Sequence, residues 1–192
     1  MIKDELQRIV SEHRAAVEKS FDSDSLQVLE QITREVLKTL KHGGKILLCG
    51  NGGSAADCQH IAAEFIGRFK RERRSLPAIA LTTDTSILTA VANDYSYDQI
   101  FSRQIEGLGR KEDILLALST SGNSKNVLQA VKQAKAQEIA LVGFTGLDGG
   151  QLKKTVNLCF QAKSQKTPHI QEIHITALHA ISEAVENVLF GV

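Results

Sequence analysis

A histidine and a glutamate four residues apart, His60 and Glu64, are candidates for proton-transfer or metal chemistry. On a helix, residues at this spacing share one face. An imidazole and a carboxylate can both exchange protons near neutral pH, and both are ligands for divalent metals. In isolation such a pair is more often a polar surface contact, so the surrounding sequence has to decide between the two interpretations.

The segment around this pair has the composition of a strand, a tight turn and a helix. Lys45–Phe65 reads KILLCGNGGSAADCQHIAAEF, and its apolar run Ile46–Cys49 is followed by glycines. Glycine lets the backbone turn tightly and approach a ligand closely. A helix that begins near Ser54 directs unpaired N–H groups and its positive dipole end outward, which favours an anion. The segment predicts that a phosphorylated molecule is held close to His60 and Glu64.

A second strand-to-helix turn is rich in hydroxyl groups. The apolar run DILLAL at 113–118 is followed by STSGNS and then by a helical segment, KNVLQAVKQA. Hydroxyl and backbone N–H groups can surround phosphate oxygens without a cation. One hydroxyl would suffice for an ordinary helix cap. We therefore expect the four hydroxyl side chains, Ser119, Thr120, Ser121 and Ser124, to hold a phosphate.

Two other phosphate-binding motifs fit poorly. The P-loop string G-x-x-x-x-G-K-[ST] does not occur. Gly50, Gly52 and Ala55 match a relaxed dinucleotide fingerprint, but the acid expected about 20 residues later has only Asp84 as a late candidate. The hydroxyl-rich turn would also have no role in that scheme. The sequence therefore predicts no nucleotide cofactor.

The elements that must position these turns alternate along the chain. Five apolar runs are typical of buried strands: Ile46–Cys49, Pro77–Leu81, Asp113–Leu118, Ile139–Phe144 and Val156–Phe160. Helices are expected near 87–91, 98–108, 125–137 and 150–154, with a loop at Asn93-Asp94 and a long final helix at His169–Leu189. This alternation predicts an α/β fold with a parallel sheet covered by helices on both faces.

Two amphipathic helices are expected before the first strand. Residues 2–20 show near-helical apolar spacing, and Asp24 with Gln27 predicts the N-cap and capping box of the second helix. We expect residues 1–44 to belong to the same domain as 45–192 and to form an oligomer interface. A helical cover over the core of the same chain fits the periodicity as well.

Composition restricts the class of protein and its partners. The 192 residues are 42% hydrophobic and 23% charged, with a net charge of +1, which suits one domain and gives no field to recruit nucleic acid. No apolar run approaches the ~20 residues that span a bilayer, and the N-terminus lacks a signal-peptide pattern. Three isolated cysteines, Cys49, Cys58 and Cys159, are typical of thiols in a reducing compartment. These features predict a cytoplasmic protein without nucleic-acid or membrane partners.

The motifs CGNGGS, STSGNS and IQEIH together resemble the sugar isomerase (SIS) domain family, in the family's order. Within it, the chain is most similar to the phosphoheptose isomerases, which convert sedoheptulose 7-phosphate to D-glycero-D-manno-heptose 7-phosphate. The resemblance covers nearly the whole chain. It implies a single SIS domain with a five-stranded parallel sheet sandwiched by helices, a homotetramer, and a role in heptose biosynthesis for lipopolysaccharide or another glycan.

The resemblance also implies the roles of individual residues. Glu64 and His179 match the family's acid/base pair, in which Glu64 would move the carbon-bound proton. The zinc ligands of family members, one ion per subunit, match His60, Glu64, Gln171 and His179. A metal-bound Glu64 is a weaker base, so its two roles compete. Substrate-binding positions match Asn51, Gly52, Gly53, Ser54, Glu64, Arg68, Asn93, Asp94, Ser119, Thr120, Ser121, Ser124 and Gln171.

Some features leave alternatives open. His169 stands where many members have arginine, whereas His174 is interpreted as structural. A non-enzymatic SIS regulator that binds the replication initiator protein would carry other residues at the positions of Glu64 and His179, so their presence favours an enzyme. An isomerase of another sugar phosphate, such as a hexose or pentose, fits the same motifs.

Overall fold

The structure is a computed structural model that describes residues 1–191; Val192, the last residue of the predicted domain, lies outside the described residues. The strands are β1 (Ile46–Cys49), β2 (Ala78–Ala80), β3 (Ile114–Ser119), β4 (Ala140–Thr145) and β5 (Leu158–Gln161). The helices are α1 (Ile2–Ser20), α2 (Ser23–Lys41), α3 (Gly53–Ile66), α4 (Thr85–Asp94), α5 (Ser102–Leu108), α6 (Lys125–Ala136), α7 (Gly150–Thr155) and α8 (Thr167–Phe190), with a 3₁₀ turn at Tyr97–Gln99.

Every strand pair in the sheet is parallel, and the order is β2-β1-β3-β4-β5. The chain passes from β1 to β2 on one side and from β3 to β4 and β5 on the other, so its direction of travel reverses between β1 and β3. Open parallel sheets bind ligands at the carboxyl ends of strands beside such a switch point. The glycine-rich and hydroxyl-rich turns follow these two strands and therefore meet at one crevice.

Both faces of the sheet are covered, as the continuous apolar strands require. One face packs against α2, α3 and α8, where Val36, Ile61 and Leu178 are buried. The opposite face packs against α5, α6 and α7, where Ile105 and Val131 are buried. The predicted α/β fold, with its five-stranded parallel sheet, two N-terminal helices and long C-terminal helix, is confirmed.

The two N-terminal helices differ in how they are covered. Helix α2 buries Ile32 and Val36 completely in the core of its own chain. The first half of α1 instead leaves apolar side chains in solvent, with Leu6 57% and Val10 57% exposed. Helix α2 therefore covers the core of its own chain, which was one of the two interpretations of the N-terminal helices. Helix α1 instead has an apolar face without a partner in the described chain.

The predicted start of α2 is wrong by two residues. The N-cap is Asp22, whose carboxylate accepts a hydrogen bond of 3.0 Å from the Ser25 N–H. Asp24 lies inside the first turn, so the predicted capping box with Gln27 does not form there. An aspartate at either position satisfies the preference for acidic residues at a helix start, so sequence cannot separate the two.

The segment around Asn93 and Asp94 also differs from the prediction. Both residues lie in the last turn of α4, which the Asp84 side chain caps through the Ile87 N–H at 2.9 Å. The helix expected at 98–108 is divided into the 3₁₀ turn and α5. No helix among residues 1–191 has the length and apolar character that crossing a membrane requires.

Candidate active site

The crevice between β1 and β3 is bridged by two asparagine side chains. Asn51, in the turn after β1, and Asn126, in the first turn of α6, donate to each other's carbonyl oxygens at 2.9 and 2.8 Å. The Tyr97 hydroxyl also donates to Asn51 Oδ1 at 3.1 Å. Gly52 in the same turn has φ +57°, which favours glycine. The bridge fixes the glycine-rich turn relative to the hydroxyl-rich turn.

The hydroxyl-rich turn is closed by its own side chains. The Ser119 and Ser124 hydroxyls are 2.9 Å apart, and the Ser121 hydroxyl accepts from the Asn123 N–H at 3.1 Å. Gly122 has φ +66°, and a Cβ there would collide with the Gly149 carbonyl group. The turn therefore has a defined shape, with hydroxyl groups at the carboxyl end of β3 and the positive end of α6 beside them.

Three side chains from α3 and α8 form a cluster that we call the trio: His60, Glu64 and His179. His60 Nε2 is 3.1 Å from Glu64 Oε1 and 3.2 Å from His179 Nε2. One ligand atom from each residue lies within 4.8 Å of the other two. Two imidazoles and a carboxylate are a donor set that suits a divalent metal with one open position. The same arrangement brings the predicted acid/base pair together through His60.

The surroundings of the trio alter its proton affinities. Burial lowers the pKa of His179, and the neighbouring His60 lowers it further, while Glu64 opposes the shift. Burial raises the pKa of Asp57, one turn before His60, to about 6, and its Oδ2 has no hydrogen-bond partner in the described residues. Asp57 lies one turn before His60 on α3, and His179 reaches the same His60 from α8, so both groups with shifted pKa values neighbour His60. Shifted pKa values are typical of sites that move protons.

A family model described as the SIS domain matches residues 10–146. A phosphoheptose isomerase of Helicobacter pylori (strain P12) is 48% identical over 186 residues, covering 97% of this chain and 96% of the relative. The chain belongs to the phosphoheptose isomerase family of SIS-domain proteins. The resemblance predicted from the three motifs is therefore confirmed.

Other members of the phosphoheptose isomerase family agree in sequence and in fold. The relative from Roseiflexus sp. (strain RS-1) is 57% identical over 159 residues, which is 83% of this chain and 81% of the relative. A solved structure of the phosphoheptose isomerase from Neisseria gonorrhoeae superposes with a TM-score of 0.92 at 38% identity, covering 97% of this chain and all of the other.

The remaining family positions lie in different parts of the site. Gln171 is not in the trio: its amide packs against Gly53, at the other end of α3, so closely that a Cβ on Gly53 would overlap it. Ser54 is buried in the first turn of α3. Asn93 donates to the Asp94 carboxylate at 2.9 Å, so these two side chains pair with each other.

Three basic or imidazole side chains contact residues outside the trio. Arg68 is exposed and its Nε lies 3.8 Å from the Glu72 carboxylate. His169 is buried and packs edge-on against the His13 ring of α1, with centroids 5.1 Å apart. His174 is fully buried and donates from Nε2 to the Thr145 carbonyl at 2.9 Å, in agreement with its interpretation as structural.

Sequence reasoning missed three residues near the site. Asn126 bridges the two turns, Asp57 adds a carboxyl beside His60, and Phe69 stacks on the His179 ring with centroids 5.5 Å apart and an interplanar angle of 18°. Of these three residues, only Asp57 could have been found from the sequence, because its spacing from His60 and Glu64 places all three on one face of α3. The contacts of Asn126 and Phe69 depend on distant segments.

Proposed function

We propose that this protein converts sedoheptulose 7-phosphate to D-glycero-D-manno-heptose 7-phosphate. The observation that carries the proposal is the trio, in which a carboxylate and an imidazole from distant segments meet at a shared histidine. The chain's membership of a family named for phosphoheptose isomerisation supports the substrate. A regulator without chemistry would have no need of Glu64 and His179 in contact with a shared histidine.

The proposed reaction moves one proton between neighbouring carbons. Glu64 removes a proton from C1 of the ketose, an enediol(ate) forms across C1 and C2, and Glu64 returns the proton to C2. His179 takes a proton from the C1 hydroxyl and gives one to the C2 oxygen, so that no proton is gained or lost overall. The lowered pKa of His179 suits this exchange, because the neutral imidazole can accept a proton near pH 7.

The proposed substrate site extends from the trio into the crevice. The phosphate is held by the four hydroxyl side chains of the second turn and by the N–H groups that begin α6. The glycine-rich turn lies on the opposite side of the crevice and contacts the sugar through its backbone, since the Asn51 amide is occupied by Asn126. Contacts to the sugar are also proposed for Gly52, Gly53, Ser54, Arg68, Asn93, Asp94 and Gln171.

We propose a zinc ion as the cofactor of the trio. The donor set fits, since two imidazole nitrogens and one carboxylate oxygen lie within 4.8 Å of one another. Gln171, whose amide packs against Gly53, is the proposed fourth ligand. Zinc held there would supply polarisation of the substrate carbonyl and charge stabilisation. Glu64 can act as the base only while one of its oxygens is free of the metal.

The proposed assembly is a homotetramer, supported by the uncovered apolar face of α1, where Ile2 and Leu6 are 80% and 57% exposed. We place the enzyme in the cytoplasm, because its three cysteines are free thiols. Its product would enter heptose biosynthesis for lipopolysaccharide or another heptose-containing glycan.

The test is incubation of the purified protein with sedoheptulose 7-phosphate, with the anomeric proton of the aldose followed by NMR. We expect aldose to appear, and incubation with fructose 6-phosphate serves as the matched substrate control. Absence of turnover with and without added zinc would refute the proposal. Faster turnover of the hexose phosphate would favour the alternative of an isomerase for another sugar phosphate.

A further inference from the structure

A buried ion pair joins the loop after α3 to the end of α8. Arg73 Nε donates to Glu186 Oε2 at 2.8 Å, and both side chains are only 2% exposed. The same carboxylate accepts the backbone N–H groups of Phe69, Lys70 and Arg71 at 2.9 to 3.1 Å. Glu186 thus organises the basic segment RFKRERR at residues 68–74.

The guanidinium of Arg73 also closes the last turn of α3. Its Nη2 donates to the Glu64 carbonyl at 2.7 Å, and its Nη1 donates to the Phe65 carbonyl at 2.9 Å. A cation at these carbonyls satisfies groups that have no partner in the helix and complements the negative end of the helix dipole. The turn that Arg73 holds is the turn that carries Glu64.

The loop held by Glu186 in turn supports His179. Phe69 stacks on the His179 ring with centroids 5.5 Å apart. His179 and Glu186 are seven residues apart on α8 and therefore share one face of that helix. A single loop thus contacts the backbone of Glu64, the ring of His179 and the carboxylate of Glu186.

We propose that Arg73, Glu186 and Phe69 are positioning residues that hold Glu64 and His179 in register across α3 and α8. The proposal rests on the proposed function for the roles of those two groups. The pair ties the ends of both helices together, and Phe69 keeps the imidazole from rotating out of contact with His60. Such support of reacting groups raises the rate of chemistry without contributing to phosphate binding, which belongs to the turn after β3.

The test compares Phe69→Leu, which removes the aromatic stack, with Phe69→Tyr, which retains it. We expect Phe69→Leu to lower kcat for the sugar phosphate by about tenfold to a hundredfold with little change in KM. Phe69→Tyr should behave as the wild type. In ¹H–¹³C spectra of histidine-labelled protein, the His179 signal should move downfield in Phe69→Leu only, because the ring current of Phe69 is lost.

A second comparison uses two ion pairs between the same loop and the same helix. Glu186→Gln weakens the buried pair with Arg73, whereas Glu183→Gln breaks the exposed pair with Lys70. We expect Glu186→Gln to lower kcat and to shift the His179 signal, and Glu183→Gln to change neither. If Glu186→Gln does not fold, the Phe69 variants still test whether the loop positions His179.

The proposal is overturned if Phe69→Leu keeps the wild-type kcat and His179 signal, or if the leucine and tyrosine variants lose activity equally. Failure of the wild type to turn over sedoheptulose 7-phosphate would instead refute the proposed function. The histidine spectra would still show whether Phe69 holds His179, because they need no substrate.

Discussion

At the scale of residues, the neighbours of the proposed acid/base groups alter their properties. Burial and His60 lower the pKa of His179, and Glu64 contacts the same His60. A second histidine, His174, has its pKa lowered to about 4 by burial, although its hydrogen bond to Thr145 opposes the shift. His179 is thus suited to proton exchange, whereas His174 is neutral in the core at neutral pH.

Replacing Glu64 by Gln should lower kcat about 10³-fold, because the amide cannot accept the carbon-bound proton. Phosphate binding should persist, since the hydroxyl-rich turn is unaffected. The measurement is turnover of sedoheptulose 7-phosphate together with the dissociation constant of inorganic phosphate. Glu72→Gln, at an exposed carboxylate, is the control and should retain full activity. An active Glu64→Gln enzyme would show that the base is another group.

The buried His174 predicts a pH-dependent stability. Its folded-state pKa of about 4 lies below the ordinary histidine value of 6.5, so its contribution to stability is fully present above pH 6.5 and is lost as the pH falls toward 4. The loss in unfolding free energy should reach about 3 kcal/mol. Chemical denaturation at several pH values measures it. His174→Gln keeps a donor for Thr145 but does not titrate, and an equally steep loss in this variant would contradict the assignment.

At the scale of elements, the site depends on α3 and α8 lying side by side in the same direction. Gly53 meets Gln171 near the start of both helices, His60 meets His179 further along, and the loop after α3 meets Glu186 near the end of α8. A small shift of one helix along the other would change all of these contacts together. The absence of a side chain at Gly53 is one condition for this close approach.

A methyl group at Gly53 should therefore lower catalytic activity more than it lowers the stability of the fold. In Gly53→Ala only the flexible Gln171 amide has to move, so thermal stability should change little. The displacement should lower kcat/KM by about tenfold or more, because small misplacements in a site are costly. Gly107→Ala in α5 is the matched control, since its Cβ would meet no neighbour. Equal activities of the two variants would show that the position of Gln171 does not matter for catalysis.

At the scale of the whole molecule, the first half of α1 is the element whose apolar residues lack cover. Ile2, Leu6, Ile9 and Val10 are each between 43% and 80% exposed. Single exposed apolar residues are common, but a helical stripe of four marks a contact surface. A stripe of this kind on a terminal helix fits another copy of the chain, as in the proposed homotetramer.

A charge in this stripe should therefore break the assembly. Leu6→Lys is expected to shift the mass measured by light scattering toward a smaller species, because a buried unpaired ammonium is unfavourable. Gln129→Lys adds the same charge at an exposed position of α6 and should leave the mass unchanged. If Leu6→Lys retains the mass of the wild type, the stripe on α1 is not the interface.

Element types were predictable wherever the local pattern was strong. The strand at Ile46–Cys49 was predicted to the residue, and the other four strands lie within two residues of their predicted bounds, because buried parallel strands are continuous apolar runs. The cap of α2 and the residues Asn93 and Asp94 were placed wrongly, since polar residues near a helix end satisfy both a cap and an ordinary helical turn.

The sequence by itself determined the α/β fold class, the two turns of the crevice and the family, because these depend on composition and spacing over short stretches. Only the tertiary structure decided which polar groups meet: that His179 contacts His60, that Gln171 packs against Gly53, and that Arg73 and Glu186 are a buried pair. Contacts between residues more than a hundred positions apart depend on how α3 and α8 pack. Local periodicity carries no information about that packing.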